Sequence, residues 1–454
     1  MTLIFYSAAL LAIGWWFRRE AADGAGFFLA GRKLGAWQVG LALGGMGFGG
    51  SAILIGSSLA YAHGLAGLWF TGSVALGFVC NGLFLARRVR ASGAHSLAHF
   101  VELQYGRPAR RMVSALLVVC SMAFFGIAIK GFSILLGPIA GDAWWLREGR
   151  PEVIACAVIL AYTLLGGHRA IAATDYLQIA LIVLALTAVL LPLGLARAPV
   201  AALPAAMLAF PFGHGAGPMF ALNMVVLMGL AGVVGGDVFS KVLSAADERA
   251  ASKGAVIGGL ILLFLAMTVA LLALCARALL PGLADPSLAI PLLARELLPA
   301  VLFELIVLAL LGALLSTGDA VLLTGATVMA LDVLRIDERA GRWPIRVVTA
   351  GLAIGGLMLA LWLGRLLEIM RFGYTLLVSG VVMPVLITLV VGDRRRPSRA
   401  WAMGAMLAGL AGAIAWQAFR PKEIGLDPAA IGAAASALVM GIGIAMAGKG
   451  AGPR

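Results

Sequence analysis

Ser316, Thr317 and Asp319 stand in the middle of an apolar stretch, LGALLSTGDAVLLTGATVMALDVL, at residues 311–334. The stretch is apolar enough to cross a bilayer, and hydrocarbon penalises uncompensated polar groups by about a few kcal/mol each. These three residues therefore need partners inside the protein. At helical spacing Ala313, Ser316 and Thr317 share one face, so a carbonyl and two hydroxyls can converge on a small cation. The alternative is that both hydroxyls bond back to carbonyls one turn earlier, as Ser and Thr in membrane helices often do. The neighbouring aspartate weighs toward the cation.

The elements that position such a group follow from composition. With 454 residues, 62% of them hydrophobic and 12% charged, and a mean hydropathy of +1.02, the chain is an all-α polytopic membrane protein rather than a soluble one. Its net charge of +13 would suit nucleic acid, but the basic residues sit in short loops between apolar runs. Membrane topology accounts for them and no nucleic-acid partner is implied. The first apolar run, 2–17, is followed rather than preceded by Arg18 and Arg19, the reverse of a cleavable signal peptide. It reads as a retained helix with its N-terminus outside. Cys80, Cys120, Cys156 and Cys275 lie in or beside separate apolar segments without metal-ligand spacing and read as reduced core residues.

Apolar runs long enough to span number about thirteen: 2–17, 36–60, 66–86, 112–136, 152–167, 174–195, 218–242, 254–280, 301–333, 345–364, 367–392, 400–418 and 428–447. Alternate loops hold most of the positive charge, including Arg87, Arg88, Arg90, Arg107, Arg110 and Arg111, then Arg249 and Lys253, then Arg335, Arg339, Arg342 and Arg346, then Arg394, Arg395, Arg396 and Arg399. The positive-inside rule makes these loops and the C-terminus cytoplasmic, in the cell (inner) membrane. Two spans carry dense glycine: GGMGFGG at 44–50 and GLAGVVGGD at 229–237. Five glycines within seven residues favour a broken helix with freed carbonyls. Each cluster opens a block of about five spans, the layout of an inverted-repeat transporter with discontinuous helices at a midplane site. The chain then divides into a leading helix and loop (1–35), a first repeat (36–195), a second repeat (218–392) and two C-terminal helices with a short tail (400–454).

At this point several stretches resemble the sodium:solute symporter family, which includes the proline, pantothenate, sialic-acid and sodium/glucose cotransporters. YTLLGGHRAIAATDYLQ (162–178) resembles the family's signature around its fourth and fifth core helices, and GDVFSKVLSAADERAASKG (236–254) the stretch after the sixth. LLSTGDAVLL resembles the eighth, and GRKLGAW (31–37) and LAYAHG (59–64) fit the ends of the first. The resemblance covers roughly residues 1–447 and implies a five-plus-five, LeuT-like core. It also implies a sodium site, with carbonyls of Gly45 and Phe48 in the broken first core helix and Ala313, Ser316 and Thr317 in the eighth. Five hard oxygens and no carboxylate suit a monovalent cation. Gly47 stands where the proline-transporting branch has an aspartate. Asp175, with Asp319, is implicated in a second ion or in gating, although STGDA replaces the STADS of many relatives and Ala320 lacks one hydroxyl. Asp175 reads equally as a helix cap or the partner of a cytoplasmic arginine.

The resemblance places the solute between the first, third, sixth and tenth core helices, where Gly49, Gly50, Ser51, Lys130, Asn223, Gly232 and Tyr374 are the lining residues to consider. Lys130, an ionisable group inside a span, either meets the solute, which would favour a carboxylate or amino acid, or snorkels to the interface. Trp144 and Trp145 read as interfacial anchors. The expectation is a sodium-coupled symporter importing a small organic solute, with sodium as coupling ion and no organic cofactor. Its other partner is the lipid bilayer, and nothing in the pattern specifies an oligomeric state. Two rivals share these features: a transporter-like sensor signalling to a separate protein, and a proton-coupled carrier using Asp175 or Asp319. No nucleophile-base pair, phosphate loop or metal-ligand histidine spacing supports an enzyme.

Overall fold

The computed structural model describes residues 33–140, 150–336, 343–392, 396–419 and 425–450, and all of their side chains except those of 138–140, 165–179, 331 and 448–450. The predicted first span, 2–17, Trp144 and Trp145, and the side chain of Asp175 lie outside what is described. Among the described residues the structure is helical, with ten helical segments long and apolar enough to cross a membrane. In such a chain each backbone N–H must be satisfied within its own segment, which leaves helices as the only economical choice.

The first predicted core span is two helices, α1 (Ala36–Met46) and α2 (Gly50–His63), separated by Gly47–Gly49. After a 3₁₀ turn at Gly64–Leu68 come α3 (Trp69–Cys80), the short amphipathic α4 (Leu97–Tyr105), α5 (Arg107–Ala140) and α6 (Arg150–Leu184). The second glycine-rich span is α7 (Pro218–Met224), a π-helical turn at Val225–Gly229, α8 (Leu230–Val234) and, beyond a one-residue break at Gly235, α9 (Gly236–Leu243). Then follow α10 (Glu248–Leu279), α11 (Ala300–Thr327), α12 (Trp343–Leu363), α13 (Leu366–Leu377), α14 (Met383–Val391), α15 (Arg399–Phe419) and α16 (Pro428–Gly450).

Two differences from the predicted spans have plain causes. The run from Gly50 to Ala91 is helical throughout, so the predicted spans 36–60 and 66–86 share it. Gly64, at φ +70°, nevertheless ends α2, a conformation only glycine takes without strain. The predicted spans 152–167 and 174–195 are joined by helical backbone through 168–173, since nothing in HRAIAA breaks a helix. Within the described side chains their apolar portions are Pro151–Leu164 and Ala180–Arg197.

Packing sorts the helices into two groups. α10 lies along α1, α2 and α3, while α5, α6, α11 and α12 pack on one another. The contact of α1 with α10 is closest where side chains are missing: a Cβ on Gly44 would sit 2.7 Å from Ile261 Cγ2, and one on Gly258 would sit 2.7 Å from Leu43 Cβ. Glycine at these positions lets the backbones approach, as small residues do between membrane helices generally. The two groups meet where α2 crosses α11.

At the basic end of the bundle, polar side chains tie segments that are far apart in sequence. Arg88 donates to the carbonyl of Leu389 at 2.6 Å, and Arg90 to that of Ala245 at 2.8 Å. Leu34 donates its N–H to the Ser244 carbonyl at 3.2 Å and accepts from the Ala246 N–H at 2.9 Å. Arg110 forks, one arm on Glu102 of α4 and the other on Asp332 in the π-helical turn after α11. Ser114 adds a 3.0 Å hydrogen bond to the second Asp332 oxygen.

Candidate functional site

The break in the first core span lies against α11. Gly47 closes α1 by donating to the Leu43 carbonyl at 3.0 Å, and Phe48 donates to the Gly45 carbonyl at 3.1 Å. The helix restarts at Gly50, with Gly49 extended at φ −63° and ψ 163°. Among the described residues nothing donates to the Phe48 carbonyl, the freed acceptor that a helix break creates. A Cβ on Gly49 would stand 2.8 Å from Thr317 Oγ1, and one on Gly50 2.9 Å from the Leu310 carbonyl. Only glycine permits the two helices to close to this distance.

On the α11 side, Thr317 donates its proton to the Ala313 carbonyl at 2.8 Å. For Thr317 that is the back-bonded arrangement considered from sequence; its oxygen keeps lone pairs with which it can also accept. Ser316 is half-buried and makes no hydrogen bond among the described residues. The five oxygens named from the resemblance thus lie on the two elements that the glycines bring together. All are uncharged and hard, and they fit a monovalent ion better than a divalent one.

Asp319 is fully buried and accepts from Thr163 of α6, whose hydroxyl lies 2.8 Å from the Ile159 carbonyl. It therefore joins α11 to α6, on a different face from the break. Asp175 belongs to α6, but its side chain is outside what is described.

The solute-lining residues proposed from sequence are not all brought together. Gly49, Gly50 and the half-buried Ser51 are at the break. Tyr374 lies on α13 with its ring 4.9 Å from that of Phe124 on α5. Gly232 is packed against α3, where a Cβ would meet the Val74 carbonyl at 2.7 Å. Asn223 is engaged at both polar ends, donating to the Gly425 carbonyl at 2.7 Å and accepting from the Asp427 N–H at 2.9 Å. Asp427 in turn caps α16 and faces Arg371 of α13 at 3.6 Å.

Lys130 pairs with Glu152 at 2.6 Å, and Ser133 also donates to that carboxylate, at 3.2 Å. The lysine thus ties α5 to the start of α6 and its charge is cancelled locally. Replacing Glu152 with Gln is expected to cost about 1–3 kcal/mol, less than a fully buried pair because Lys130 keeps some access to water. Thermal unfolding measures it, and Lys130→Met in the Glu152→Gln background is expected to recover most of the loss. Equal losses in single and double variants would show that the pair contributes nothing.

With broken helices packed into two groups, this architecture matches solved transporters over nearly its whole length. A Na+-coupled sialic acid symporter, solved substrate-bound and outward-open, superposes with a TM-score of 0.76 over 98% of this chain and 96% of its own at 14% identity. Mhp1, a nucleobase-cation-symport-1 family transporter solved closed with bromovinylhydantoin bound, gives 0.65 over 95% and 96% at 15% identity. The protein is therefore an all-helical polytopic membrane protein with a LeuT-like fold. It belongs to the sodium:solute symporter family, which it matches over residues 27–412, and is thus a transporter rather than an enzyme. Curated relatives include an osmoregulated proline transporter of Bacillus subtilis, 29% identical over 42% of this chain and 39% of its own length. The human sodium/iodide cotransporter is 29% identical over 36% of this chain and 24% of its own. The matched stretches thus span well under half of these relatives.

Proposed function

We propose that the chain is a sodium-coupled symporter that imports a small organic solute by alternating access. The observation that carries this reading is the contact between the break at Gly47–Gly49 and the Ser316/Thr317 face of α11. A sodium ion held there by Gly45, Phe48, Ala313, Ser316 and Thr317 ties α2 to α11 across the junction of the two packed groups. Its binding favours the conformer in which the junction is closed, and parting of the helices releases it. Sodium supplies charge without a proton, which fits the uncharged donor set. The relatives include sodium-coupled carriers of iodide and sialic acid and transporters of proline, which supports sodium coupling and leaves the solute class to this chain's own residues.

The division into repeats at 36–195 and 218–392, with 400–454 outside them, belongs to the same reading. So does the orientation: the basic end, with Arg88, Arg90 and Arg110, is cytoplasmic in the inner membrane. One inward sodium at 100 mV supplies about 2.3 kcal/mol, enough to concentrate solute roughly 50-fold before the sodium gradient is counted. A single ion suffices.

The test is uptake of labelled amino acids, short carboxylates and sugars into proteoliposomes under an inward sodium gradient. Accumulation of one class that collapses when sodium is replaced by choline is the expected result. Accumulation driven equally by a proton gradient in sodium-free buffer would overturn sodium coupling in favour of a proton-coupled carrier.

A further inference from the structure

Asn81 is fully buried where α3 gives way to a π-helical turn, Asn81–Leu85. Its Nδ2 donates to the Val233 carbonyl at 2.7 Å. Val233 is the penultimate residue of α8, and in a continuous helix its carbonyl would accept from the N–H of Asp237. Gly235, extended at φ −60° and ψ 154°, breaks the ladder there. Among the described residues no backbone N–H donates to this carbonyl, so the Asn81 amide takes the place of the missing helical donor.

The platform under this bond is close-packed. α3 lies against both α8 and the π-helical turn before it. A Cβ on Gly77 would stand 2.4 Å from the Gly229 carbonyl, so the two backbones are already as near as they can come. Just beyond Asn81, Ser252 of α10 donates to the Gly82 carbonyl at 2.7 Å. α10 is also the helix along which α1 lies, and α1 ends at the first break. Both breaks are thus referred to one framework. The other end of the amide is unused: Oδ1 is buried and accepts from nothing among the described residues. Turning the amide over would set oxygen against the Val233 oxygen, so its orientation is fixed. The gain of one neutral hydrogen bond is offset by burying an acceptor unpaired, and an apolar side chain of the same shape would be about as stable. What Asn81 supplies and leucine would not is a fixed position for the Val233 carbonyl, and hence for the break.

We infer that Asn81 is a positioning residue for transport: by standing in for the helical donor at Val233 it holds the second glycine-rich span broken at Gly235, in the geometry that the span presents to the solute. This rests on the symporter reading above, in which discontinuous helices surround the solute. Solute affinity therefore depends on Asn81, while the sodium donors, on α11 and at the first break, do not.

The test uses the full-length protein: uptake of labelled amino acids, short carboxylates and sugars into proteoliposomes at saturating sodium, and sodium titration of the unfolding midpoint in detergent. For whichever of these solutes wild type accumulates, Asn81→Leu is expected to raise the half-saturating concentration about three- to tenfold, because fewer chains hold the break preformed, and to keep the maximal rate within about twofold. Its unfolding midpoint and sodium titration should stay close to those of wild type. Asn81→Asp, which can donate in its neutral form, should lie nearer wild type than Asn81→Leu does, most closely at the acid end of a pH series run on all three. If Asn81→Leu fails to fold, Asn81→Ala, likewise without a donor, takes its place; failure of both would make the residue a structural one and overturn the inference. It is also overturned if the half-saturating concentration is unchanged, if the maximal rate alone falls, if sodium affinity falls in parallel, or if Asn81→Asp matches Asn81→Leu at every pH. A wild type that accumulates none of these solutes under a sodium gradient fails the symporter reading and the inference with it, and that failure registers without any variant.

Discussion

Changing Ser316 and Thr317 together to alanine is expected to remove sodium binding at accessible concentrations, with at least a hundredfold rise in the sodium concentration needed for half-maximal stabilisation or uptake. Each hydroxyl lost from a charge-bearing contact costs about 1.5–3 kcal/mol. The two are neighbours on one ligand, so the losses need not add. Thr317 contributes twice, since its hydroxyl stands against the Gly49 backbone and is fixed by the Ala313 carbonyl. Thr317→Ser should therefore retain most of the affinity while Thr317→Val should not. Sodium titration of the unfolding midpoint checks this, because a ligand that binds only the folded state raises it with concentration. A double variant with an unchanged titration would place the ion elsewhere.

The second large effect is expected at the basic end. Arg110→Ala should destabilise the protein by about 3–5 kcal/mol, because it leaves Asp332, 9% exposed at the side chain, without its cation. Glu102 and α4 lose their tie to α11 at the same time. Since most of that cost is the stranded carboxylate, Asp332→Asn added to Arg110→Ala should recover at least half of it. Paired unfolding measurements form the cycle. A loss under about 0.5 kcal/mol for Arg110→Ala would show the fork to be a solvated surface pair.

Much of this was legible in the chain. Glycine density marked both helix breaks, because a freed carbonyl and a missing Cβ are local properties of sequence, and the Ala313, Ser316, Thr317 face follows from helical periodicity alone. What escaped were partnerships between distant segments. From sequence Lys130 reads as either a solute contact or a snorkelling group, because Glu152, which pairs with it, lies across a connection and on another helix. Asn223 looked like a lining residue because the backbone that engages it, at Gly425 and Asp427, is 200 residues away. Gly232 stands as a lining candidate from sequence alone because its packing neighbour Val74 is in another span. The π-helical turns at Val225–Gly229 and Val328–Val333 have no compositional signature that distinguishes them from ordinary helix.

The clasp at the far end has a mechanical meaning. Asn223 on α7 grips the loop at Gly425 and Asp427, Asp427 faces Arg371 on α13, and the same loop receives the Trp416 indole N–H at the Leu426 carbonyl, 3.0 Å away. The hairpin of α15 and α16 thus stands as a strut with its foot on both α7 and α13. In the alternating-access reading, a rotation of α13 would be delivered to α7 through these few bonds, so the pair would turn with one degree of freedom where unlinked helices would have two.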